Sequence, residues 1–146
     1  MRRLLTLGAA SCALAATAGC TILPTWQPPT DAKTALVALP ERGRMSACVG
    51  GKAYRLERDA AGNVSLPVDS RVSLWSNYSW ASGNMNYSCA PAASFVPHAG
   101  EGYTMVFEVE PENHSCSFRP YRQTTANRIG LDFEPTIGAP YACAKP

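Results

Sequence analysis

From about residue 34 onward, apolar and polar positions alternate with a period of two, in short segments closed by proline, glycine and asparagine. The clearest segment runs from Tyr103 to Glu110. Tyr103, Met105, Phe107 and Val109 point one way and Thr104, Val106, Glu108 and Glu110 the other, which predicts a strand with one side in a core. Pro111-Glu112-Asn113 predicts a turn, and a return strand over 115–121 places Cys116 and Phe118 on a common face. The same reading predicts strands over 34–39, closed by Pro40, and over 52–58, where Tyr54 and Leu56 oppose Ala53, Arg55 and Glu57. Further strands fall at 64–67 and at 71–75, where Val72 and Leu74 oppose Arg71, Ser73 and Trp75. A last alternation runs through Ile129, Leu131 and Phe133. Asp59 to Asn63 reads as a turn. No window carries a helical stripe, and 12 prolines with 11 glycines suit short strands and tight turns. The expectation is an all-β chain, a single antiparallel β-sandwich of about seven strands, immunoglobulin-like or transthyretin-like, with a small β-barrel as the alternative.

The beginning of the chain follows another pattern. Met1-Arg2-Arg3 precedes an apolar run from Leu4 to Ala18, and small residues lead to Cys20, the layout of a secretory signal peptide. The run is too rich in alanine, serine, threonine and glycine for a membrane span, which needs roughly 20 strongly apolar residues. Ala16-Thr17-Ala18 also fits ordinary cleavage and plain secretion. Thr17-Ala18-Gly19-Cys20, however, resembles the lipobox of bacterial lipoproteins, in which cleavage precedes a cysteine carrying diacylglycerol on its sulfur. Thr17 stands where leucine is most common. Cysteine parity favours the lipid: with Cys12 removed and Cys20 acylated, Cys48, Cys89, Cys116 and Cys143 remain, an even set for an oxidising compartment, whereas plain secretion leaves five. The expected organisation is a signal peptide over 1–19, a lipidated tether over 20–33 and a β domain with two disulfides over 34–146. The tether, TILPTWQPPTDAK after Cys20, reads as extended chain, with Trp26 against either the membrane interface or the domain. Of the three ways to pair four cysteines, the favoured one joins Cys89 to Cys116, which flank the strongest strand, and Cys48 to Cys143, which pins a tail with no other visible hold.

Phe95-Val96-Pro97-His98-Ala99-Gly100-Glu101-Gly102-Tyr103, followed by the alternating strand and Cys116, resembles an F-x-P-x-x-G-x-x-Y pattern of short uncharacterised bacterial lipoproteins, and Glu134-Pro135-Thr136 through Cys143 is similar to their tails. The resemblance implies a cell-envelope location, with the lipid anchored in a bacterial membrane, the periplasmic side of the outer membrane first. It brings no catalytic residues.

All 11 acidic residues lie after position 20, as do all the basic ones except Arg2 and Arg3, so the mature domain has no net charge. That excludes the basic face a nucleic-acid partner needs and leaves the N-terminal lipid as the link to a membrane. His98 and His114 are the only histidines and the remaining cysteines are expected as disulfides, so no metal or other cofactor is expected and the His114-x-Cys116 spacing reads as accidental. There is no G-x-S-x-G elbow. Glu108 and Glu110 share one face of a strand rather than opposing each other, as paired acid catalysts do. The expectation is therefore not an enzyme.

One concentration stands out: Trp75, Tyr78, Trp80 and Tyr87 among serine, asparagine and glycine, ending at Cys89. Binding loops use this mixture of rigid amphipathic rings and small polar groups. The competing reading makes Trp75 and Tyr87 strand ends in the core, with Trp80 covering the sandwich edge. The functional expectation is a structural or interaction module whose partner is an envelope protein or a glycan. The alternative is an inhibitor or a glycan- or protein-binding lipoprotein that uses the loop from Trp75 to Tyr87. Some small cysteine-bridged lipoproteins inhibit lysozymes through an S-G-x-x-Y loop; Ser82-Gly83-Asn84-Met85-Asn86-Tyr87 is one residue longer and has no arginine.

Overall fold

Short alternating segments cannot bury their apolar side alone, so strands that present one such face pair edge to edge and pack face to face. The computed structural model describes residues 22–143. Its strands are β1 (Thr34–Ala38), β2 (Arg44–Val49), β3 (Lys52–Arg55), β4 (Asn63–Pro67), β5 (Val72–Ser82), β6 (Met85–Cys89), β7 (Ala92–Phe95), β8 (Gly102–Glu110), β9 (Ser115–Gln123) and β10 (Leu131–Phe133). One sheet has the order β10-β9-β8-β1-β4. The other has the order β3-β2-β5-β6, with β7 also paired to β5. The two pack as a β-sandwich and do not close into a barrel. Every named pairing is antiparallel except β1 with β8, where Val37 lies parallel beside Tyr103. The core between the sheets takes Val37, Leu66, Tyr103 and Met105 from one side and Ala47, Val72, Leu74 and Phe95 from the other.

Ten strands stand where about seven were expected, and the difference has a physical cause. The tail from Glu134 to Cys143 straps the outer face of the second sheet. Ser94 forms an antiparallel bridge with Gly138, the Ser94 hydroxyl donates to the Ala139 carbonyl at 2.8 Å, and the Arg71 guanidinium donates to the Thr136 carbonyl at 2.9 Å. The Tyr141 hydroxyl reaches the carbonyls of Arg71 at 2.7 Å and Cys48 at 3.1 Å. Under this strap Cys48, Ser73 and Ser94, neighbours across three strands, are nearly inaccessible. β2 and β7 are therefore covered on both faces and show no clean alternation. The tail also has several holds besides Cys143, which bonds to Cys48.

Residues 24–26 of the segment read as a tether lie on the outer edge of β3. Arg55 N–H donates to the Pro24 carbonyl and Trp26 N–H to the Arg55 carbonyl, both at 2.8 Å. The Trp26 indole N–H donates to the Ser65 carbonyl at 2.8 Å, and the ring stands edge-on to Tyr54 at 5.1 Å. Trp26 thus belongs to the domain, and the open edge of β3 is paired at Arg55. Cys20 and the signal segment lie outside the described residues.

The F-x-P-x-x-G-x-x-Y stretch is a packing device. Phe95 and Tyr103 are fully buried with ring centroids 5.0 Å apart. The Tyr103 hydroxyl donates to Glu101 Oε2 at 2.7 Å and accepts from His98 N–H at 2.9 Å. Burial first, and then the bond to Glu101, push the Tyr103 pKa well above the ordinary tyrosine value of 10. Burial raises Tyr141 too, against the lowering pull of Arg71. Above about pH 10 an unfolded tyrosine loses its proton while these two keep theirs, so the folded chain binds more protons and stability falls as pH rises. Below that pH their contribution is complete. Denaturation midpoints between about pH 9 and pH 11 are expected to fall with pH, and less steeply in Tyr141→Phe. A flat profile would contradict the burial of both hydroxyls.

Candidate functional site

β5 continues seven residues past Trp75, where the sequence reading ended the strand, so the expected loop from Trp75 to Tyr87 is a two-stranded ribbon. Serine and asparagine disguised it, being poor strand formers. Gly83-Asn84 closes the ribbon as a two-residue turn between the paired Ser82 and Met85, with Gly83 at φ 59° as such turns require. β6 and β7 keep one register along β5, from Ser82 opposite Met85 to Val72 opposite Phe95. Pro91, which has no N–H to donate, falls in the gap between them.

That register sorts the aromatic side chains. Tyr78 lies opposite Cys89 and Trp80 opposite Tyr87, on the face turned toward β8 and β9. Ser79, Ser88, Ala81 and Asn86 occupy the other face. Trp75 has the opposite parity from Tyr78 and Trp80, pairs with Ser46 and Ala92, and takes no part in the row. Tyr78 and Trp80 stack at 5.9 Å, and Trp80 and Tyr87 at 5.4 Å. Tyr87 stacks on the His114 ring at 4.5 Å and 8°. At the inner end Tyr78 meets the Phe107 ring edge-on at 5.4 Å. The Cys89–Cys116 disulfide ties the ribbon to β9 beside this row.

Sequence reading assigned His114 no role; the structure makes it the outermost ring. His114 holds a left-handed φ of 51° in the turn at the head of β9. Tyr78, Trp80 and Tyr87 are half-buried, Met85 at the tip is 61% exposed, and the Trp80 indole N–H is buried without an acceptor among the described residues. A groove of about 340 Å³ follows the ribbon, lined by Trp80, Tyr87, Asn86 and three small neighbours. The rings spend much of their faces on each other. What the groove offers a partner is ring edges, the Asn86 amide and the hydroxyls of Ser79 and Ser88. This arrangement suits amphipathic contact better than a sugar sandwiched between two open faces.

The other candidate chemistry is dispersed. His98 Nδ1 sits 3.4 Å from Asp69 Oδ1 between exposed loops. Glu108 and Glu110 point to solvent, bonded to Ser117 at 3.4 Å and Asn113 at 2.9 Å. Cys48, Cys89, Cys116 and Cys143 are all in disulfides. Among the described residues no three histidine, cysteine, aspartate or glutamate side chains come together as metal ligands would.

Comparison with known proteins adds a local likeness. No family model matches the chain, and no solved structure matches it. In an alignment of 70 positions that covers 44% of its length, it is 40% identical to the patatin-like phospholipase domain-containing protein 7 of Mus musculus, of which the match covers 5%. A likeness to one-twentieth of a protein assigns neither a family nor an activity.

Proposed function

We propose that the chain is a lipid-anchored, non-enzymatic interaction module of the bacterial cell envelope, held through Cys20 and meeting an envelope protein or glycan with the β5–β6 ribbon. The observation that carries the reading is the ribbon itself, a row of half-buried rings crosslinked by Cys89–Cys116 and ending in an exposed Met85. Rigid aromatic contact area costs little conformational entropy on binding. The lipobox supplies the address, and the dispersed histidines and carboxylates support a role without catalysis.

Two measurements test the reading. Cys20→Ser is expected to move the protein from the membrane to the soluble fraction and abolish labelling by palmitate, since each buried methylene contributes about 0.8 kcal/mol and the mature domain has no net charge to replace it. A membrane-bound Cys20→Ser chain and an unlabelled wild type would refute the anchor. Met85→Glu places a charge on the exposed tip, where it is expected to leave the melting temperature unchanged while losing the partner captured by wild type from solubilised envelope. The Ser82-Gly83-Asn84-Met85 tip is exposed, as the inhibitor alternative requires of a loop that enters an enzyme cleft. Lysozyme activity in the presence of the protein separates that alternative, and unchanged activity excludes it.

A further inference from the structure

We infer that the groove between β2 and the segment after β3 is a binding site for the phosphate of an acidic phospholipid headgroup. It encloses about 570 Å³, within the range of small-molecule sites. Its floor is apolar, built from Leu39, Met45 and Leu56, all buried. Arg44, Arg55 and Arg58 line its walls against the single carboxylate of Glu57. The mature domain is neutral overall, so these cations are a local concentration.

The three arginines differ in what they have left to offer. Arg55 is held by Glu57 at 2.6 Å and by the Thr25 hydroxyl at 3.0 Å, which neutralises it and fixes the wall. Arg58 donates from one guanidinium nitrogen to the Pro40 carbonyl and makes no other side-chain hydrogen bond or ion pair among the described residues. Arg44 is exposed and makes no ion pair among the described residues. Two open guanidinium groups over an apolar floor match an oxyanion attached to carbon, because the planar fork takes phosphate oxygens in pairs and the floor takes the adjoining glycerol.

The position of the groove selects a lipid over a free anion, and this choice rests on the proposed lipid anchor. Thr25, bonded to both Arg55 and Glu57, is part of the chain segment clamped against the groove wall. From Pro24 back to Cys20 are four residue steps, a reach of roughly 14 Å at most. An acylated Cys20 would therefore hold this wall within reach of the headgroups, and the short leash would turn the same side of the domain toward the membrane.

The test uses the Cys20→Ser chain, so that binding does not depend on the acyl group and failure of the site is separable from failure of the anchor, which fractionation of wild type reports. Co-sedimentation with phosphatidylcholine vesicles, with and without phosphatidylglycerol, is expected to show binding only to the acidic vesicles. Arg44→Gln and Arg58→Gln should each weaken it about fivefold. Arg44→Lys, which keeps the charge but loses the fork, should recover only part of the affinity lost in Arg44→Gln, and Arg119→Gln on the opposite sheet should change nothing. Equal loss in Arg119→Gln, or no preference for acidic vesicles, would overturn the proposal. Displacement by inorganic phosphate at low millimolar concentration would overturn the lipid assignment in favour of a free-phosphate site.

Discussion

Alanine at both Cys48 and Cys143 is expected to lower folding stability by about 4.7 kcal/mol, the largest effect anticipated for any pair of side chains here. The two cysteines are 95 residues apart, so their bond closes a long loop in the unfolded chain and restricts it more than Cys89–Cys116, which closes only 27 residues and should be worth about 3.5 kcal/mol. The loss should arise in the unfolded state. The strap that Cys143 ends stays docked through the Ser94–Gly138 bridge, the Arg71 contact to Thr136 and the Tyr141 hydroxyl. A domain of this size should melt on the order of 15–20 °C lower. Urea denaturation gives the stability, and limited proteolysis of the tail shows whether the folded state has changed. A loss below about 1.5 kcal/mol would contradict the chain-entropy account, and a tail cut rapidly in the folded variant would mean that the disulfide, not the hydrogen bonds, holds the strap.

That strap also explains which parts of the fold were legible in the sequence. β1, β4, β8 and β9 have one face on the core and one toward solvent, so their side chains alternate and their extents were close to those expected. β2 and β7 lie under the tail, and runs such as Met45-Ser46-Ala47-Cys48 are buried at every position. No periodic signal survives there, because a covered outer face accepts small residues of either polarity as long as their hydroxyls find partners, as Ser94 does with Ala139. The candidate site was legible as composition and illegible as geometry. Four aromatics were evident, but a loop reading gives no parity, and without parity Trp75 could not be separated from Tyr78 and Trp80. The Gly83-Asn84 turn held the missing information: once Ser82 is set opposite Met85, Trp80 must face Tyr87 and Tyr78 must face Cys89. His114 lay beyond that inference, since its place depends on a hairpin from the other sheet.

The row makes Trp80 a structural residue and a candidate contact residue at once, and substitutions are expected to separate the two roles. Trp80→Ala should lower stability by about 2–3 kcal/mol. Stacked aromatic pairs are worth about 0.5–1.5 kcal/mol each beyond the area they bury, and Trp80 makes two, with Tyr78 and Tyr87. The ring is only half-buried, so the cost stays below the roughly 3–5 kcal/mol of a core aromatic. Trp80→Phe should cost less than about 1 kcal/mol. It keeps a ring in the stack, and it removes an indole N–H that is buried without an acceptor, a group that itself costs about 1–3 kcal/mol to leave unpaired. In melting experiments this ordering places Trp80→Ala roughly 10 °C below wild type and Trp80→Phe close to it. If Trp80→Ala melts with wild type, the row carries no structural load. If Trp80→Phe falls as far as Trp80→Ala, the indole N–H has a hydrogen-bond partner whose loss offsets the retained ring. With stability accounted for in this way, envelope capture by Trp80→Phe becomes the informative measurement for function. A folded, stacked ribbon that has lost its partner locates recognition at the indole edge, and retained capture moves recognition to the tip at Met85.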